Sequence, residues 1–474
     1  MVVHPAGCDP EPASPRPKLE VADIFGAHAA DYLKAHPVSV DQRKVIEAIL
    51  ACRTAALGGH LDVCDACGYA QVSYNSCRNR HCPKCQGLAQ ADWLNQRKER
   101  ILPVPHFHVV FTLPAELRPL ARLNPAPLYD LLFQAAARTL ISFGCDPKHL
   151  GAQIGITAVL HTWSRDLLYH PHVHCIVTGG GLSGDGTRWV HKDDRFLFPV
   201  RPMAQVFRGK FLKGLSDLLS RGALVLGGDC AQLSEAPAWE VLLNELWNKS
   251  WVVYAKRPFG GAERVYSYLG RYTHRVGLSN RRLLWIGPDQ VCFKTKLGQT
   301  CTVSPMEFIR RFLLHVLPPG LVKIRHFGLL SATGVRTRLP LAQRLLAPAP
   351  SAVAPVSAST APPTPAPVPT SAAVPTSASP AAAAAPWPPV PSTAAPPWVP
   401  APSAPLTVSW PAEADYRDKL KALTGIDLRV CPRCHKGRML RCLQVGPSAS
   451  TRSRSWGRPV PAAPRGDAAF ADSS

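Results

Sequence analysis

Residues 170–182, HPHVHCIVTGGGL, decide the fold of this chain, because they join a β-branched run to closely spaced histidines. Side chains alternate between the two faces of a β-strand, so His172 and His174 leave one face while Val173 points to the other. Two imidazoles on one face can reach the same metal ion. The stretch therefore predicts a strand that packs on one side and binds metal on the other.

An upstream strand-like run, TAVLHTW, contains a third candidate ligand, His161. If the two strands pair as a hairpin, His161 lies beside the histidine pair. Three neutral imidazoles leave coordination positions open for phosphate oxygens and water. The alternative is structural, since paired histidines on a half-exposed strand often bind nothing.

The segment VYSYLGRYTHRVGLSNRRL, residues 265–283, carries two tyrosines four residues apart, Tyr268 and Tyr272. On a helix they lie one above the other, among basic residues that include Arg271 and Arg275, which we assign to DNA binding. A metal ion on the histidines would withdraw charge from a scissile phosphate and favour attack by a phenolate. Attack would leave a 5′-phosphotyrosine and a free 3′-hydroxyl. In the alternative, both tyrosines only pack an amphipathic helix.

Two CxxC pairs, Cys64 with Cys67 and Cys82 with Cys85, stand fourteen residues apart in the N-terminal part of the chain. This is the arrangement of two knuckles that close one tetrahedral zinc site. Four thiolates leave zinc no open position, so we predict a structural zinc ion in a DNA-recognition module.

Further metal donors lie within and before these pairs: Cys52, His60, Cys77 and His81. They predict either a second zinc site or exchange into the first. Otherwise Cys52 is a small buried hydrophobe, and the histidines are surface or DNA contacts. Arg78 and Arg80 lie in the same region and are candidate DNA contacts.

The composition favours a polyanionic partner. The 474-residue chain contains 54 Lys and Arg against 32 Asp and Glu, a formal net charge of +22, and nucleic acid is the leading candidate. The sequence has no GxxxxGK[ST] loop, which argues against a built-in ATP-driven motor. CxxC pairs without an apolar export signal fit metal binding in a reducing cytoplasm. The one long uncharged stretch is too rich in proline for a membrane span.

Changes in composition predict the organisation of the chain. The expected segments are a disordered leader at 1–20, a zinc-binding DNA-recognition domain at 21–98, a catalytic domain at 99–340, an Ala/Pro-rich linker at 341–412, a short segment with CxxC at 413–445 and a disordered tail at 446–474. Within the catalytic domain, IGITAVLHTW, HVHCIVTGGG and WVVYAKRPF predict strands, whereas LYDLLFQAAARTLISF and QVFRGKFLKGLSDLLS predict helices. The pattern indicates an α+β fold around an antiparallel sheet.

Three blocks of sequence together resemble one known family. They are CRTAALGGHLDVCDACGYAQVSYNSCRNRHCPKCQ, HPHVHCIVTGGGL and YLGRYTHRVGLSNRRL. They are similar to the two-tyrosine HUH transposases of the insertion sequence ninety-one type, which move by a rolling-circle route. The resemblance spans roughly residues 25–335.

This resemblance implies an N-terminal zinc-ribbon-like domain and an HUH catalytic domain of the Rep and relaxase type, an antiparallel sheet with the histidines at its centre. His172 and His174 match the HUH pair, and Tyr268 and Tyr272 match the tyrosine pair. The resemblance also implies Mg²⁺ or Mn²⁺ as the catalytic ion and single-stranded DNA at element ends and target as the substrate.

The third histidine ligand stays open between His161, which resembles that of related relaxases, and two competitors, His170 and His274. The chain departs from the family pattern after Arg344, where the Ala/Pro-rich stretch begins. Beyond it, CPRCHKGRM looks like half of a zinc knuckle. Its only close partners in sequence are His435 and Cys442.

The leading hypothesis is therefore a transposase that nicks and transfers single DNA strands. Plasmid replication initiators and relaxases use the same chemistry and form one alternative, which the joined cysteine block disfavours. A decayed copy that only binds DNA forms the other, which the intact histidines and tyrosines disfavour.

Overall fold

The computed structural model describes residues 19–192, 196–259, 277–295, 298–347 and 414–448. Apart from Ala347, these residues belong to one compact unit. The predicted nucleophiles Tyr268 and Tyr272 lie outside the described residues, as do Arg271, Arg275 and His274.

The described chain mixes helices and strands, numbered here in chain order. The helices are α1 Val21–Ala35, α2 Val40–Ala51, α3 Gln86–Asn95, α4 Arg118–Leu123, α5 Pro125–Cys145, α6 Val200–Ser220, α7 Ala236–Asn248, α8 Pro305–Leu313, α9 Ala332–Thr337, α10 Leu339–Leu346 and α11 Tyr416–Thr424. The strands are β1 Gly59–Cys64, β2 Ala70–Tyr74, β3 His106–Thr112, β4 Ala152–Trp163, β5 Tyr169–Ser183, β6 Trp189–His191, β7 Val253–Phe259, β8 Leu283–Ile286, β9 Val291–Lys294, β10 Thr300–Val303, β11 Ile324–Gly328 and β12 Met439–Val445.

The central sheet has the strand order β11-β4-β5-β3-β7, and β6 pairs with part of β5. Every pairing in it is antiparallel. The strand that carries the histidine pair, β5, therefore occupies the middle of the sheet. These observations confirm the predicted mixture of helices with an antiparallel sheet, and the three predicted strands are β4, β5 and β7.

The two faces of the central sheet differ in chemistry, because residues alternate along each strand. One face is apolar: Phe111, Leu160 and Val173 are buried there, and helices α5 and α6 pack against it. Phe111 meets Phe207 of α6 with ring centroids 4.9 Å apart. The opposite face carries the histidines, so the apolar core fixes the strands on which the polar face is built.

The N-terminal helices share a second core with residues far along the chain. Val21, Phe25 and Ile46 are buried in one cluster with Phe293 and Phe308. Helix α2 begins at a capping box, in which the Ser39 hydroxyl accepts from the Gln42 amide nitrogen. The side chain of Gln42 also donates to the Leu313 carbonyl at 3.1 Å. The predicted zinc-binding domain thus packs directly on residues that the sequence placed in the catalytic domain.

Apart from the central sheet, a smaller sheet of three strands joins the two ends of the described chain. Its order is β12-β1-β2, with β1 antiparallel to both neighbours. The short segment predicted at 413–445 therefore adds a strand to the sheet of the predicted zinc-binding domain at 21–98, called the N-terminal module below. No helix in the described ranges is both long and apolar enough to cross a lipid bilayer.

His315 provides a test of this packing through its titration. Its Nε2 donates to the Leu167 carbonyl at 3.0 Å, and its Nδ1 lies 3.3 Å from the Thr162 hydroxyl. Burial lowers the pKa of His315 to about 4, against about 6.5 in an unfolded chain. Between these values the unfolded chain takes up a proton that the folded chain does not, so acidification lowers stability.

We expect His315→Gln to weaken the pH dependence of the free energy of unfolding between pH 6.5 and 4, by up to about one proton per chain. Urea unfolding of both proteins at several pH values across this window measures the slope. Parallel curves for wild type and variant would show that His315 is not the buried neutral group described here.

Candidate metal centre and DNA-binding groove

Three histidines converge on the polar face of the central sheet. His161 on β4 stands directly opposite His172 on β5, and His174 follows two residues later on the same face. One ring nitrogen from each lies within 4.8 Å of the other two. The structure thus brings together the predicted pair and the predicted third ligand, His161.

His172 is oriented by its own strand. Its Nδ1 lies 2.6 Å from the carbonyl oxygen of His170, and because a carbonyl can only accept, Nδ1 carries the proton. The lone pair is then on Nε2, where an ion can bind. Burial lowers the pKa of His172 to about 4, so the ring is neutral at cellular pH, as a metal ligand must be.

His174 is held by a fourth histidine. His108 lies on β3, and its Nε2 is 2.8 Å from Nδ1 of His174. Because this contact engages Nδ1, His174 would bind an ion through Nε2. Burial lowers the pKa of His108 to about 3, so His108 is neutral and one of its ring nitrogens can accept a hydrogen bond. A partner of this kind fixes the tautomer and orientation of a metal-binding imidazole.

A guanidinium group lies next to the histidines. Arg118, at the start of α4, donates through Nη2 to Nδ1 of His170 at 3.1 Å. Its Nε is buried and has no hydrogen-bond partner among the described residues. A buried unpartnered donor is costly, and a phosphate oxygen is a suitable acceptor for it. His170 thus contacts Arg118 instead of joining the three-histidine cluster.

The tyrosine-bearing segment 260–276 lies outside the described residues, but the chain resumes beside the histidines. A side chain at Gly277, the next residue, would lie 3.1 Å from Leu167 and 3.9 Å from Trp163. The Trp163 ring in turn stacks on His161 with centroids 4.7 Å apart. Gly277, where the described chain resumes, therefore lies close to the candidate metal centre.

The cysteines group differently from the prediction. Cys82 and Cys85 do not share a site with Cys64 and Cys67. They form a cluster whose four sulfurs lie within 4.8 Å of one another, made of Cys52, Cys77, Cys82 and Cys85. The Sγ atom of Cys85 is 3.1 Å from that of Cys52 and 3.5 Å from that of Cys77.

Cys52 caps the C-terminal end of α2, and Cys85 caps the N-terminal end of α3. This cluster therefore lies where these two helix ends meet. Four thiols are the donor set of a closed structural zinc site. Cys64 and Cys67 lie instead beside Cys431 and Cys434 in a second cluster of the same kind.

The two histidines proposed for a second zinc site lie elsewhere. His60 Nε2 lies 2.9 Å from the Arg441 guanidinium and 3.1 Å from a carboxylate oxygen of Asp62. The Nε2 atom of His81 accepts from the Leu317 amide at 3.4 Å, and burial lowers its pKa to about 3. Neither histidine belongs to a cysteine cluster. His60 contacts Asp62 and Arg441, and His81 contacts the Leu317 amide.

Arg80 also turns inward instead of toward DNA. Its guanidinium donates to the carbonyl oxygens of Leu317, Pro318 and Leu321 at 2.7–3.0 Å. These contacts tie the cysteine block to the loop after α8. The predicted DNA contact at this position is thus replaced by a structural role.

Arg78 lies on the wall of a broad groove of about 1750 Å³ between the N-terminal module, the start of β8 and helix α11. Arg53, Arg78 and Arg281 are exposed there, and Tyr74 is 42% exposed. Positive charge beside an exposed aromatic ring suits a nucleic-acid strand, whose phosphates attract arginine and whose bases stack on rings.

Sequence reasoning missed His108 and Arg118. His108 stands in HFHVVFTL, where its spacing from His106 repeats the His172 and His174 pattern, so a second HxH strand was a usable signal. Arg118 had none, because a single arginine before a proline does not indicate a site.

Comparisons with known proteins match two family models and two relatives to this chain. A family model described as "Transposase zinc-binding domain" matches residues 24–113, and one described as "Putative transposase" matches residues 155–337. A protein of Sinorhizobium fredii named "Putative transposase y4qJ" is 41% identical over 444 residues, which covers 92% of this chain and 98% of that protein.

A second relative, from Pseudomonas savastanoi pv. phaseolicola, is named "Transposase for insertion sequence element IS801". It is 29% identical over 337 residues, which covers 67% of this chain and 77% of that protein. No solved structure matches this chain significantly.

The contact between His108 and His174 predicts an effect on metal affinity. His108→Phe should weaken Mn²⁺ binding by about 10- to 100-fold, because a metal-binding imidazole loses its orienting partner. Titration calorimetry of the purified protein measures the dissociation constant. His106→Gln is the matched control, since His106 lies two residues away on β3 and bonds to the Val104 carbonyl instead. Equal affinities in wild type and His108→Phe would contradict an orienting role.

Proposed function

We propose, given that this chain belongs to the insertion sequence ninety-one family of transposases, that it cuts and rejoins single-stranded DNA at the ends of a mobile element through a phosphotyrosine intermediate. The observation that carries this proposal is the cluster of three imidazoles at the centre of an antiparallel sheet. This is the arrangement expected of an HUH catalytic domain. Gly277, the first described residue after the two tyrosines, lies beside it.

His161, His172 and His174 would hold a catalytic Mg²⁺ or Mn²⁺. Imidazole ligands alone do not select this ion, because they also suit zinc and other transition metals, so the choice of Mg²⁺ or Mn²⁺ rests on the family. Three ligands leave positions for phosphate oxygens and water. When bound, the ion would neutralise charge on the scissile phosphate. The protein contributes the neutral form of His172, through burial, and the orientation of His174, through His108.

Tyr268 or Tyr272 would supply the nucleophile. The phenolic oxygen attacks phosphorus after its proton leaves to solvent, and the bond from phosphorus to the 3′-oxygen breaks. That oxygen leaves as a 3′-hydroxyl after protonation, and the 5′-phosphate stays on tyrosine. Rejoining is the reverse attack by a 3′-hydroxyl, so no ATP is needed. A second tyrosine permits a second strand transfer.

Arg118 would bind a non-bridging phosphate oxygen. Its buried Nε lacks a partner among the described residues, and its contact with His170 places it beside the ligand strand. A fixed cation at this position stabilises negative charge that develops on the phosphate during attack.

The basic groove would hold the DNA that the zinc-binding module recognises. Two separate parts of the chain contribute exposed arginines to the groove. Arg78 comes from the cysteine-rich module, and Arg281 comes from the residues that follow the tyrosines. The groove thus offers a route by which the zinc-binding module recognises an element end while the histidines act on the strand. Such a protein works on the genome in a prokaryotic cytoplasm.

A plasmid replication initiator or relaxase would share this chemistry, and a decayed copy would keep only DNA binding. Both relatives match this chain over most of their lengths, and both are named transposases. The intact histidine cluster disfavours decay. These arguments support strand transfer at element ends as the proposed activity.

The decisive test is a covalent adduct. Protein incubated with Mn²⁺ and labelled single-stranded DNA that contains the element end should yield a DNA-linked band on a denaturing protein gel. Tyr268→Phe and Tyr272→Phe should each reduce strand transfer, and the double variant should lose the adduct, because phenylalanine has no nucleophilic oxygen. Tyr254→Phe is a matched control, since Tyr254 is an exposed tyrosine on β7. Full cleavage by the double variant would refute the mechanism.

Arg118→Gln tests the phosphate contact separately from metal binding. We expect cleavage to slow by about 100-fold or more, as for removal of a donor that stabilises a developing anion. The Mn²⁺ dissociation constant should stay close to that of wild type, because Arg118 is not a ligand. Single-turnover cleavage and calorimetry provide the two readouts. Unchanged cleavage would remove Arg118 from the site.

A further inference from the structure

Two cysteine knuckles from opposite ends of the described chain have the same backbone geometry. One is CDACG at residues 64–68 and the other is CPRCH at residues 431–435. Each ends in a left-handed residue, Gly68 with φ of 70° and His435 with φ of 56°. The amide of each donates to the carbonyl of the first cysteine in its knuckle, at 3.1 and 3.0 Å. The two knuckles are thus equivalent halves of one arrangement.

Their sulfurs are spaced for one tetrahedral ion. Cys64 lies 3.7 Å from Cys434, and Cys67 lies 3.7 Å from Cys431. Zinc bonds to sulfur of about 2.3 Å in a tetrahedron place ligand sulfurs about 3.8 Å apart. All four sulfurs lie within 4.8 Å of one another. A closed set of four thiolates is the donor set of structural zinc.

Backbone amides support the C-terminal thiolates. The amides of Arg433 and Cys434 point at Cys431 Sγ at 3.4 and 3.5 Å. The Gly437 amide points at Cys434 Sγ at 3.3 Å. Such donors favour the charged form of sulfur, which is the form that binds metal.

The approach of the two knuckles requires a glycine. A Cβ atom at Gly437 would lie 2.4 Å from Cys64 Sγ and 2.8 Å from an oxygen of Asp65. The same Asp65 oxygen accepts from the Arg438 amide at 2.7 Å. The sequence around the second knuckle is therefore fitted to the first.

Apart from the antiparallel pairing of β12 with β1, the contacts that hold residues 414–448 in place are weak. The apolar cluster at this contact has only three buried members, Cys64, Cys431 and Met439, while Leu440 and Leu443 of β12 are more than half exposed. The ion pairs across the contact, such as Lys419 with Asp92 at 3.0 Å, are partly exposed, so each contributes little to stability. So small an apolar core needs a metal or another crosslink.

We propose that a zinc ion bound by Cys64, Cys67, Cys431 and Cys434 fastens residues 414–448 to the N-terminal module, in addition to the zinc ion of the Cys52 cluster. By binding both cysteine knuckles, this zinc ion closes a loop of chain that includes the Ala/Pro-rich stretch. It also places Tyr416, Arg417 and Arg441 on the wall of the basic groove. This zinc ion thus controls the shape of the surface available to DNA.

Metal counting on the full-length protein tests the proposal. Native mass spectrometry should find two zinc ions per wild-type chain and one in the double variant Cys431→Ser with Cys434→Ser. Cys442→Ser is the matched control, because Cys442 is exposed in the same segment, and it should retain two. A single zinc ion in wild type, or two in the double variant, would overturn the proposal.

A second measurement does not depend on the metal count of a variant. A specific protease site is inserted into residues 348–413 of the full chain, and the protein is cut after folding. The C-terminal piece should remain bound in size-exclusion chromatography and should separate from the rest in the double variant or in excess chelator. Retention of the piece without zinc would refute the fastening, whatever the protein does to DNA.

Discussion

The antiparallel pairing of β4 with β5 is the interaction on which the candidate site depends. It sets His161 opposite His172 and, by strand alternation, turns Leu160 and Val173 to the other side. One register therefore fixes the apolar face under the helices and the imidazole face at once. A shift of one residue would exchange the two faces, place the histidines in the core and expose the apolar side chains.

The neighbouring strand β3 refines what this pairing provides. It aligns His108 so that it meets His174, and its apolar residues enter the same core as those of β5. Neutral buried imidazoles are costly unless their nitrogens have partners. The carbonyl of His170 and the ring of His108 supply such partners for His172 and His174, so hydrogen bonds within the protein orient both imidazoles.

Around this sheet, contacts between distant parts of the chain join the modules. The N-terminal helices pack against Phe293 and Phe308, and Arg80 is clamped by carbonyls after α8. The C-terminal strand β12 completes the sheet of β1 and β2. The cysteine-rich module is thus assembled from three separate stretches of chain, and the basic groove forms where those stretches meet.

The sequence by itself determined the features that depend on local periodicity and spacing. Alternation along β5 predicted that His172 and His174 share a face, and the β-branched runs predicted three strands of the central sheet, β4, β5 and β7. CxxC spacing identified thiol pairs whose two sulfurs lie in the same cluster. Such patterns are local because they follow from the two-residue repeat of a strand and from tight turn geometry.

Only the tertiary structure decided which pairs share a site. Four cysteine pairs, three in CxxC form and one made of Cys52 and Cys77, can combine in several ways. The choice depends on long-range packing that spacing does not encode. That packing placed Cys82 in one cluster with Cys52, and Cys64 in another with Cys434. It also directed Arg80 toward the carbonyl oxygens after α8. The reason is physical: a thiol or guanidinium binds whatever partner the fold brings within a few ångströms, and that partner can lie hundreds of residues away.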